Sequence, residues 1–328
     1  MKLLDISGLS VSFNTLRGPV EVLKDVSFDV MPGEVVGVVG ESGSGKSVTS
    51  LAIMGLLGHS GKITSGNIAL SGTELTTLSE EELRALRGPE MAMIFQDPGT
   101  SLNPVQRVGD QIVEAMTEHA FCPPAEARRR AVELMDRVGI PGPDLRARDY
   151  PHQLSGGMKQ RIMIAIALAC RPKLLIADEP TTALDVTIQA QILNLILDLK
   201  DEFGMGVMLI THDMGVVAQI ADRVVVMYGG QVVERSEGDA LFTRSAHPYS
   251  RLLLRSIPSA SQRQDDLPII KGTMPAAGRF PDGCRFHERC PMAMAACALS
   301  VPPLNEAGPA HFARCFRTEA IDELEALA

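Results

Sequence analysis

The sequence has no tryptophan, and aromatic residues make up only 4% of its 328 residues. So few rings argue against a base-stacking platform for single-stranded nucleic acid. Positive charge is also in the minority, since the formal net charge is −9, whereas proteins that bind nucleic acid usually carry a net basic face. We therefore expect no nucleic-acid partner.

Long apolar runs are missing as well. The longest one, residues 162–170, falls well short of the ~20 residues that a membrane-spanning helix needs. The start of the sequence also lacks the apolar segment of a secretory signal. We expect the protein to stay in the cytoplasm and to reach a membrane only through a partner.

The rest of the composition, 45% hydrophobic and 22% charged, is that of an ordinary globular protein. Short apolar segments alternate with helical patterns, which predicts an α/β fold with a mostly parallel sheet covered by helices. Residues 97–170 are mostly helical, so we interpret them as an insertion. We predict one domain over residues 1–255, then a linker and a cysteine-rich domain over residues 256–328.

Residues 40–47 fit the phosphate-loop pattern G-x-x-x-x-G-K-[ST] between a predicted strand and a predicted helix. The glycines let backbone N–H groups turn inward around an anion, and the helix N-terminus adds partial positive charge. Lys46 is expected to reach the β- and γ-phosphates of a nucleotide, and Ser47 to bind Mg²⁺. The predicted ATP contacts are Gly40, Glu41, Ser42, Gly43, Ser44, Gly45, Lys46, Ser47 and Val48.

Two acidic residues, Asp178 and Glu179, follow a second apolar segment, residues 174–177. A carboxylate at the end of a buried strand can hold Mg²⁺ through water, which is the role we expect for Asp178. Glu179 is placed one residue further, where it would polarise an attacking water. Paired acidic residues are common on surfaces, but beside a phosphate loop they indicate nucleotide hydrolysis.

Residues 154–161 read LSGGMKQR and resemble the signature motif of ABC transporter ATPases. Met158 departs from it, because many members have Gln there. The other family elements follow in the family order over residues 13–212. They are an adenine-stacking aromatic, a Q-loop glutamine, a D-loop aspartate within residues 183–185 and a switch histidine, at Phe13, Gln96, Asp185 and His212.

The resemblance implies an ABC-type nucleotide-binding domain with an antiparallel β subdomain, a helical insertion and a small cysteine-rich C-terminal extension. It also implies that two ATPase subunits close head to tail around two ATP molecules. The residues expected to contact ATP bound by the partner subunit are Ser155, Gly156, Gly157 and Asp185. Glu179 would act as general base with His212 and Gln96 as further catalytic residues, and the implied Mg²⁺ ligands are Ser47, Gln96 and Asp178.

Several stretches resemble one branch of this family, the ATP-binding subunits of dipeptide and oligopeptide importers, and within it the first ATPase subunit of a dipeptide permease. They are residues 96–104, 178–187, 247–249 and 283–297. This resemblance implies a second, different ATPase subunit, two membrane permeases and an external substrate-binding protein. The chain would then lie peripherally on the cytoplasmic face of the inner membrane. Nickel and some glycoside importers use the same ATPase type, so the cargo follows only by analogy.

Four of the six cysteines, Cys284, Cys290, Cys297 and Cys315, lie close together in the sequence. A cytosolic chain is not expected to hold stable disulfides, so this group raises the hypothesis of a metal site. The spacing C-x5-C-x6-C-x17-C is not that of a zinc ribbon or a bacterial ferredoxin, but four thiolates bind either Zn²⁺ or an iron–sulfur cluster. The resemblance to dipeptide-permease ATPases implies a [4Fe–4S] cluster, with Zn²⁺ or free buried thiols as the alternatives.

A soluble ABC ATPase of translation or DNA repair is the alternative from another functional class. Translation members usually carry two ATPase cassettes in one chain, whereas this sequence has one set of motifs. Repair members insert a long coiled coil, and no sustained heptads occur here. The sequence therefore favours an ATP-hydrolysing subunit of a membrane importer of dipeptides or oligopeptides.

Overall fold

Strands and helices alternate along the chain in the computed structural model, which describes residues 1–181, 185–256 and 270–323. The strands are β1 (Leu4–Thr15), β2 (Gly18–Val30), β3 (Val35–Val39), β4 (Gly61–Leu70), β5 (Thr73–Glu74), β6 (Met91–Ile94), β7 (Leu174–Asp178), β8 (Gly206–Ile210), β9 (Arg223–Tyr228), β10 (Gln231–Glu237), β11 (Asn305–Gly308) and β12 (His311–Ala313).

The α-helices are α1 (Lys46–Ile53), α2 (Glu80–Leu86), α3 (Pro98–Ser101), α4 (Val108–Glu118), α5 (Pro124–Arg137), α6 (Pro143–Arg146), α7 (Gly156–Leu168), α8 (Val186–Phe203), α9 (Met214–Ile220), α10 (Gly238–Arg244), α11 (Pro248–Arg255) and α12 (Ala295–Leu299). Short 3-10 helices occur at Leu75–Thr77, Pro151–Gln153, His287–Arg289 and Thr318–Glu323. None of the helices in the described ranges combines the length and hydropathy that crossing a bilayer requires.

The chain divides into two compact units, and each unit combines segments that are distant in sequence. The first unit comprises residues 1–3, 30–34 and 77–209, and the second comprises residues 4–29, 35–76 and 210–328. The domain bounds expected from the sequence follow chain order and stay a prediction. Part of the expected linker, residues 257–269, lies outside the described residues.

The first unit is built on three strands in the order β8-β7-β6. β6 and β7 run parallel, with Met91 opposite Leu174 and Ile94 opposite Ala177. All three strands are buried along their whole length, which explains why their sequences are continuously apolar instead of alternating. Between β6 and β7 the regular structure is entirely helical, so the α/β fold with a helical insertion is confirmed.

Helix α5 shows how the insertion forms from its sequence. Pro124 occupies the first helical turn, where the missing N–H costs nothing and the fixed φ favours the helix. The buried residues of α5 mostly recur three or four positions apart, as on one face of an amphipathic helix. They are Ala127, Ala131, Leu134 and Met135.

The second unit contains two sheets. One has the order β2-β1-β4-β5, with β1, β4 and β5 paired antiparallel, which confirms the expected antiparallel β subdomain. The other places its strands in the order β11-β12-β10-β9-β3, where β3 and β9 are parallel and the remaining pairs are antiparallel. The C-terminal hairpin β11–β12 therefore extends this sheet, a pairing that such short strands do not reveal in the sequence.

Three of the few aromatic side chains pack together in the second unit. Tyr228 ends β9. Tyr249, in α11, and Phe286, just before a 3-10 helix, belong to the C-terminal region, by which we mean residues 245–256 and 270–323. All three side chains are buried. Their ring centroids are 4.8–5.4 Å apart in edge-to-face geometry. Such pairs contribute about 1 kcal/mol each beyond the area that they bury. This aromatic cluster fixes α11 and the residues near position 286 against the sheet that contains β9.

Candidate functional site

The phosphate loop follows β3 in the second unit and leads directly into α1, as its sequence predicts. Two glycines make its path possible. Gly40 has a φ of 149°, and a Cβ on it would lie 2.2 Å from the carbonyl oxygen of Met227. Gly45 caps α1 with a φ of 104°, a region that L side chains rarely adopt. The pattern therefore needs glycine at both positions for steric reasons.

Lys46 is only 6% exposed, and its ammonium lies inside the curve of the loop. Its Nζ donates to the carbonyl oxygens of Gly40 at 2.7 Å and Glu41 at 3.0 Å, and to Oγ of Ser44 at 3.4 Å. A buried cation surrounded by these oxygens and by a helix N-terminus is suited to binding phosphate. Ser47, the first residue after Lys46 in α1, is exposed.

Two other predicted site residues belong to the second unit. Phe13 is half-buried on β1, opposite Gly61 on β4. His212 is exposed, and the neighbouring Thr211 donates its N–H to the carbonyl of Val38, in the strand that leads to the phosphate loop. The roles proposed for Phe13 and His212 stay predictions.

The first unit brings two predicted catalytic residues together. Nε2 of Gln96 donates to Oε2 of Glu179 at 2.9 Å, although 83 positions separate them in the sequence. Asp178, at the end of β7, is 5% exposed. Glu179 has a φ of 47°, which is uncommon for a non-glycine residue and typical of functional positions. The carboxylate of Glu179 is thus oriented by an amide at the end of a buried strand.

The signature motif forms the start of α7 in the same unit. Ser155 is the N-cap residue, and its side chain accepts a hydrogen bond from the N–H of Met158. Ser155 and Gly156 are exposed, and a Cβ on Gly156 would meet nothing within 4 Å. An exposed helix N-terminus of this kind can bind an anionic phosphate supplied by another molecule.

The predicted D-loop is only partly described. Ala183 and Leu184 lie outside the described residues. Asp185 is exposed and caps α8, accepting a hydrogen bond from the N–H of Ile188 at 2.9 Å. Its contact with the partner's ATP stays a prediction.

The predicted Mg²⁺ ligands fit that ion by their chemistry. They offer the hydroxyl of Ser47, the buried carboxylate of Asp178 and the amide oxygen of Gln96. Mg²⁺ prefers such oxygen donors and usually keeps several waters and substrate phosphate oxygens as its other ligands. Mg²⁺ bound together with ATP would neutralise phosphate charge during hydrolysis.

The prediction of an iron–sulfur or zinc site in the C-terminal region is wrong. Cys284, Cys290, Cys297 and Cys315 do line one cavity, but its volume of about 20 Å³ has room for about one water molecule. Burial raises the pKa of Cys284 to about 11 and that of Cys290 to about 12, so both thiols are protonated at neutral pH when no metal is bound. Within the described ranges, no group of three or more His, Cys, Asp or Glu side chains is placed to hold a metal ion.

Contacts from the C-terminal region to the phosphate loop were not expected from the sequence. Oη of Tyr249 accepts the N–H of Glu41 at 2.8 Å, and the guanidinium of Arg289 donates two hydrogen bonds to the Glu41 carboxylate. The phosphate-loop pattern predicts a contact with ATP for Glu41 and no contact with another part of the chain. The sequence signal nearest to these contacts is the run His247-Pro248-Tyr249, which indicates the family branch but not a contact with the phosphate loop.

Comparisons with known proteins agree with this geometry. Residues 23–182 match the ABC transporter family model, and residues 233–297 match the model of the oligopeptide/dipeptide transporter C-terminal region. The chain is 49% identical to a dipeptide transport ATP-binding protein of Escherichia coli strain K12, over 96% of both chains. It is 51% identical to an oligopeptide transport ATP-binding protein of Bacillus subtilis strain 168, over 97% of both chains.

Solved structures show the same fold. A dimeric ATP-binding cassette in a post-hydrolysis state, with ADP and Pi bound, matches with a TM-score of 0.64 at 29% identity, covering 71% of this chain and 98% of that one. A transporter subunit from Clostridium perfringens matches with a TM-score of 0.62 at 29% identity, covering 74% and 90%. The chain therefore belongs to the ATP-hydrolysing subunits of ABC transporters, in the branch that carries the oligopeptide/dipeptide transporter C-terminal region.

Proposed function

We propose that this chain energises the uptake of dipeptides or oligopeptides by a membrane importer. The observation that carries the proposal is the match with peptide-transport ATP-binding proteins at 49–51% identity over nearly the whole chain, including the C-terminal region. A match confined to the ATPase motifs would indicate only an ABC ATPase. The full-length match favours the same kind of cargo.

The proposed chemistry begins with the phosphate loop. Lys46 and the loop N–H groups bind the β- and γ-phosphates of ATP, and the hydroxyl of the exposed Ser47 would be a ligand for Mg²⁺. Glu179 takes a proton from the attacking water as general base, and the hydrogen bond from Gln96 orients its carboxylate. His212 contacts the γ-phosphate, and Phe13 stacks on the adenine.

The signature helix is proposed to act on a second nucleotide. Ser155, Gly156 and Gly157 at the start of α7 would bind ATP held by another ATPase subunit, with Asp185 beside it. The dimeric state of a solved cassette supports such a pairing. We propose that this chain pairs with a different ATPase subunit and works with two permeases and an external binding protein. Its place is then peripheral, on the cytoplasmic face of the inner membrane.

Uptake in cells that lack this chain tests the proposal. Labelled dipeptide, a longer peptide and nickel are offered after the wild-type chain, Glu179→Gln or Glu81→Gln is restored. Glu81 is an exposed glutamate of α2, so it controls for the same chemical change away from the site. We expect peptide uptake with the wild type and Glu81→Gln only, while Glu179→Gln binds ATP without turnover.

Three outcomes would contradict parts of the proposal. Nickel uptake restored without peptide uptake would keep the ATPase and discard the peptide cargo. Near-normal ATPase activity of Glu179→Gln in the assembled transporter would discard Glu179 as the general base. A chain that co-purifies with ribosomes or DNA, and with no membrane protein, would favour the soluble ABC class.

A further inference from the structure

Arg289 of the C-terminal region is buried, with a side-chain exposure of 6%, and its donors are all directed at defined acceptors. Nη1 donates to Oε2 of Glu41 at 2.7 Å and Nη2 to Oε1 at 3.0 Å, a two-bond ion pair. Nη1 also lies 3.3 Å from Oη of Tyr228. Nε and Nη2 donate to the carbonyls of Lys271 and Gly272 at 3.0 and 3.4 Å. Such a planar, fully directed arrangement fixes the position of the carboxylate that it binds.

Glu41 is the first residue after Gly40 in the phosphate loop, and all of its polar groups are held. Its carboxylate binds Arg289, its N–H donates to Oη of Tyr249, and its carbonyl accepts from Nζ of Lys46. Tyr249 is itself fully buried in the aromatic cluster. One end of the loop is therefore anchored to groups that the phosphate-loop pattern does not include.

A second contact runs along the same side of the loop. The sulfur of Met274 lies 3.9 Å from where a Cβ on Gly43 would stand. Residues 271–274 thus follow the loop from Glu41 to Gly43, held at one end by Arg289. The C-terminal region forms part of the immediate surroundings of the phosphate loop.

An unpaired carboxylate at Glu41 would oppose ATP binding in two ways. Its negative charge would lie in the loop that must bind phosphates. Repulsion between the carboxylate and the phosphates would be poorly screened, because the carboxylate is partly buried. Its backbone would also lose one of the contacts that hold the loop open around an anion. Arg289 neutralises the charge and fixes the backbone at the same time.

We propose that Arg289 is a positioning residue for ATP binding, acting through Glu41 so that the C-terminal region sets the affinity of the phosphate loop. The inference rests on the proposed ATPase function and adds a regulatory contact to that same site. Arg289 itself touches no reacting atom. Its loss should therefore change the KM for ATP and leave kcat nearly unchanged, since Glu179 and Gln96 are not altered.

The test compares Arg289→Gln and Arg289→Lys with a matched control, Arg314→Gln, in the assembled transporter. Arg314 is also a buried arginine of the C-terminal region, with a carboxylate partner, Asp25, and two backbone carbonyl acceptors. Neither Arg314 nor Asp25 belongs to the phosphate loop. We expect Arg289→Gln to raise the KM and the Kd for ATP roughly fivefold or more, a typical size for coupling between sites. Arg289→Lys should recover part of the affinity, and Arg314→Gln should leave it unchanged.

A double-mutant cycle with Glu41→Gln shows whether Arg289 acts through Glu41. If it does, the double variant Glu41→Gln/Arg289→Gln binds ATP no more weakly than Arg289→Gln alone. Equal losses in Arg289→Gln and Arg314→Gln, or losses at Glu41 and Arg289 that multiply, would overturn the proposal. A wild-type transporter that binds ATP but takes up no peptide would reject only the cargo, whereas one that binds no ATP would reject the proposed function itself.

Discussion

The buried imidazole of His247 should make the stability of the second unit depend on pH. His247 is 1% exposed and caps α11, where its Nδ1 accepts the N–H of Tyr249 at 3.1 Å. Only a neutral ring with an unprotonated Nδ1 can accept this hydrogen bond. Burial lowers the pKa of His247 to about 4, with the nearby Glu234 carboxylate opposing that shift in part.

The size of the effect follows from the two pKa values. The ring titrates at about 6.5 in an unfolded chain and at about 4 in the folded protein, so the unfolded state binds the proton first. The folded state is therefore fully favoured above pH 6.5 and loses stability as the pH falls towards 4. Linkage predicts a loss of about 2 kcal/mol at pH 5 and about 3 kcal/mol at pH 4, relative to pH 8.

Urea unfolding of the wild type and of His247→Asn between pH 8 and pH 5 measures this loss. Asparagine keeps a side-chain acceptor at the N-cap and does not titrate, and groups common to both proteins cancel in the difference. We expect the stability advantage of the wild type over the variant to shrink by about 2 kcal/mol between pH 8 and pH 5. A difference that is flat across this range would refute a buried neutral His247.

Substitutions at three further positions have defined expectations. Glu234→Gln should destabilise the protein by about 3 kcal/mol in urea unfolding, because the fully buried carboxylate accepts the N–H groups of Ala246 and His247 and lies 2.6 Å from Nε2 of His311; an unchanged midpoint would contradict a buried carboxylate held by these hydrogen bonds. Ser79→Ala should cost about 1 kcal/mol in thermal unfolding by removing a capping box from α2, and Ser79→Asp should restore most of it. Gly40→Ala should abolish ATP binding in a titration, because the added Cβ would lie 2.2 Å from the carbonyl oxygen of Met227. Normal affinity would show that the loop can move enough to accommodate the methyl group.

The phosphate loop could be predicted because its pattern encodes backbone conformation directly, whereas the roles of the site residues stay predictions. Gly40 and Gly45 adopt φ angles that only glycine tolerates well, so their spacing fixes the curve around Lys46. Glu179 could be predicted from its place after an apolar segment, whereas Gln96 could be predicted only through family resemblance, because a lone glutamine carries no spacing signal of its own. Their 2.9 Å contact depends on β6 and β7 running side by side.

Other features depend on contacts that sequence spacing does not report. Arg289 and Glu41 are 248 positions apart, and one Arg–Glu pair among many charged residues gives no signal. The grouping of the cysteines predicted a metal site, but spacing in the sequence does not report how the four thiols are arranged in the fold. In the fold the four thiols line a cavity of about 20 Å³ and, among the described residues, form no group placed to hold a metal ion, so grouped cysteines alone were a misleading signal.

The contact between Arg289 and Glu41 modifies ATP binding and does not create it. The phosphate-loop pattern requires only the two glycines, Lys46 and a Ser or Thr, and it leaves the position of Glu41 open. A carboxylate at an open position is not needed to hold phosphate, and without Arg289 it would weaken binding. The half-buried carboxylate is paired with Arg289, and the N–H of Glu41 with Tyr249, so the loop depends on the C-terminal region. For this reason we expect a graded loss of affinity in Arg289 variants, whereas Gly40→Ala removes binding altogether.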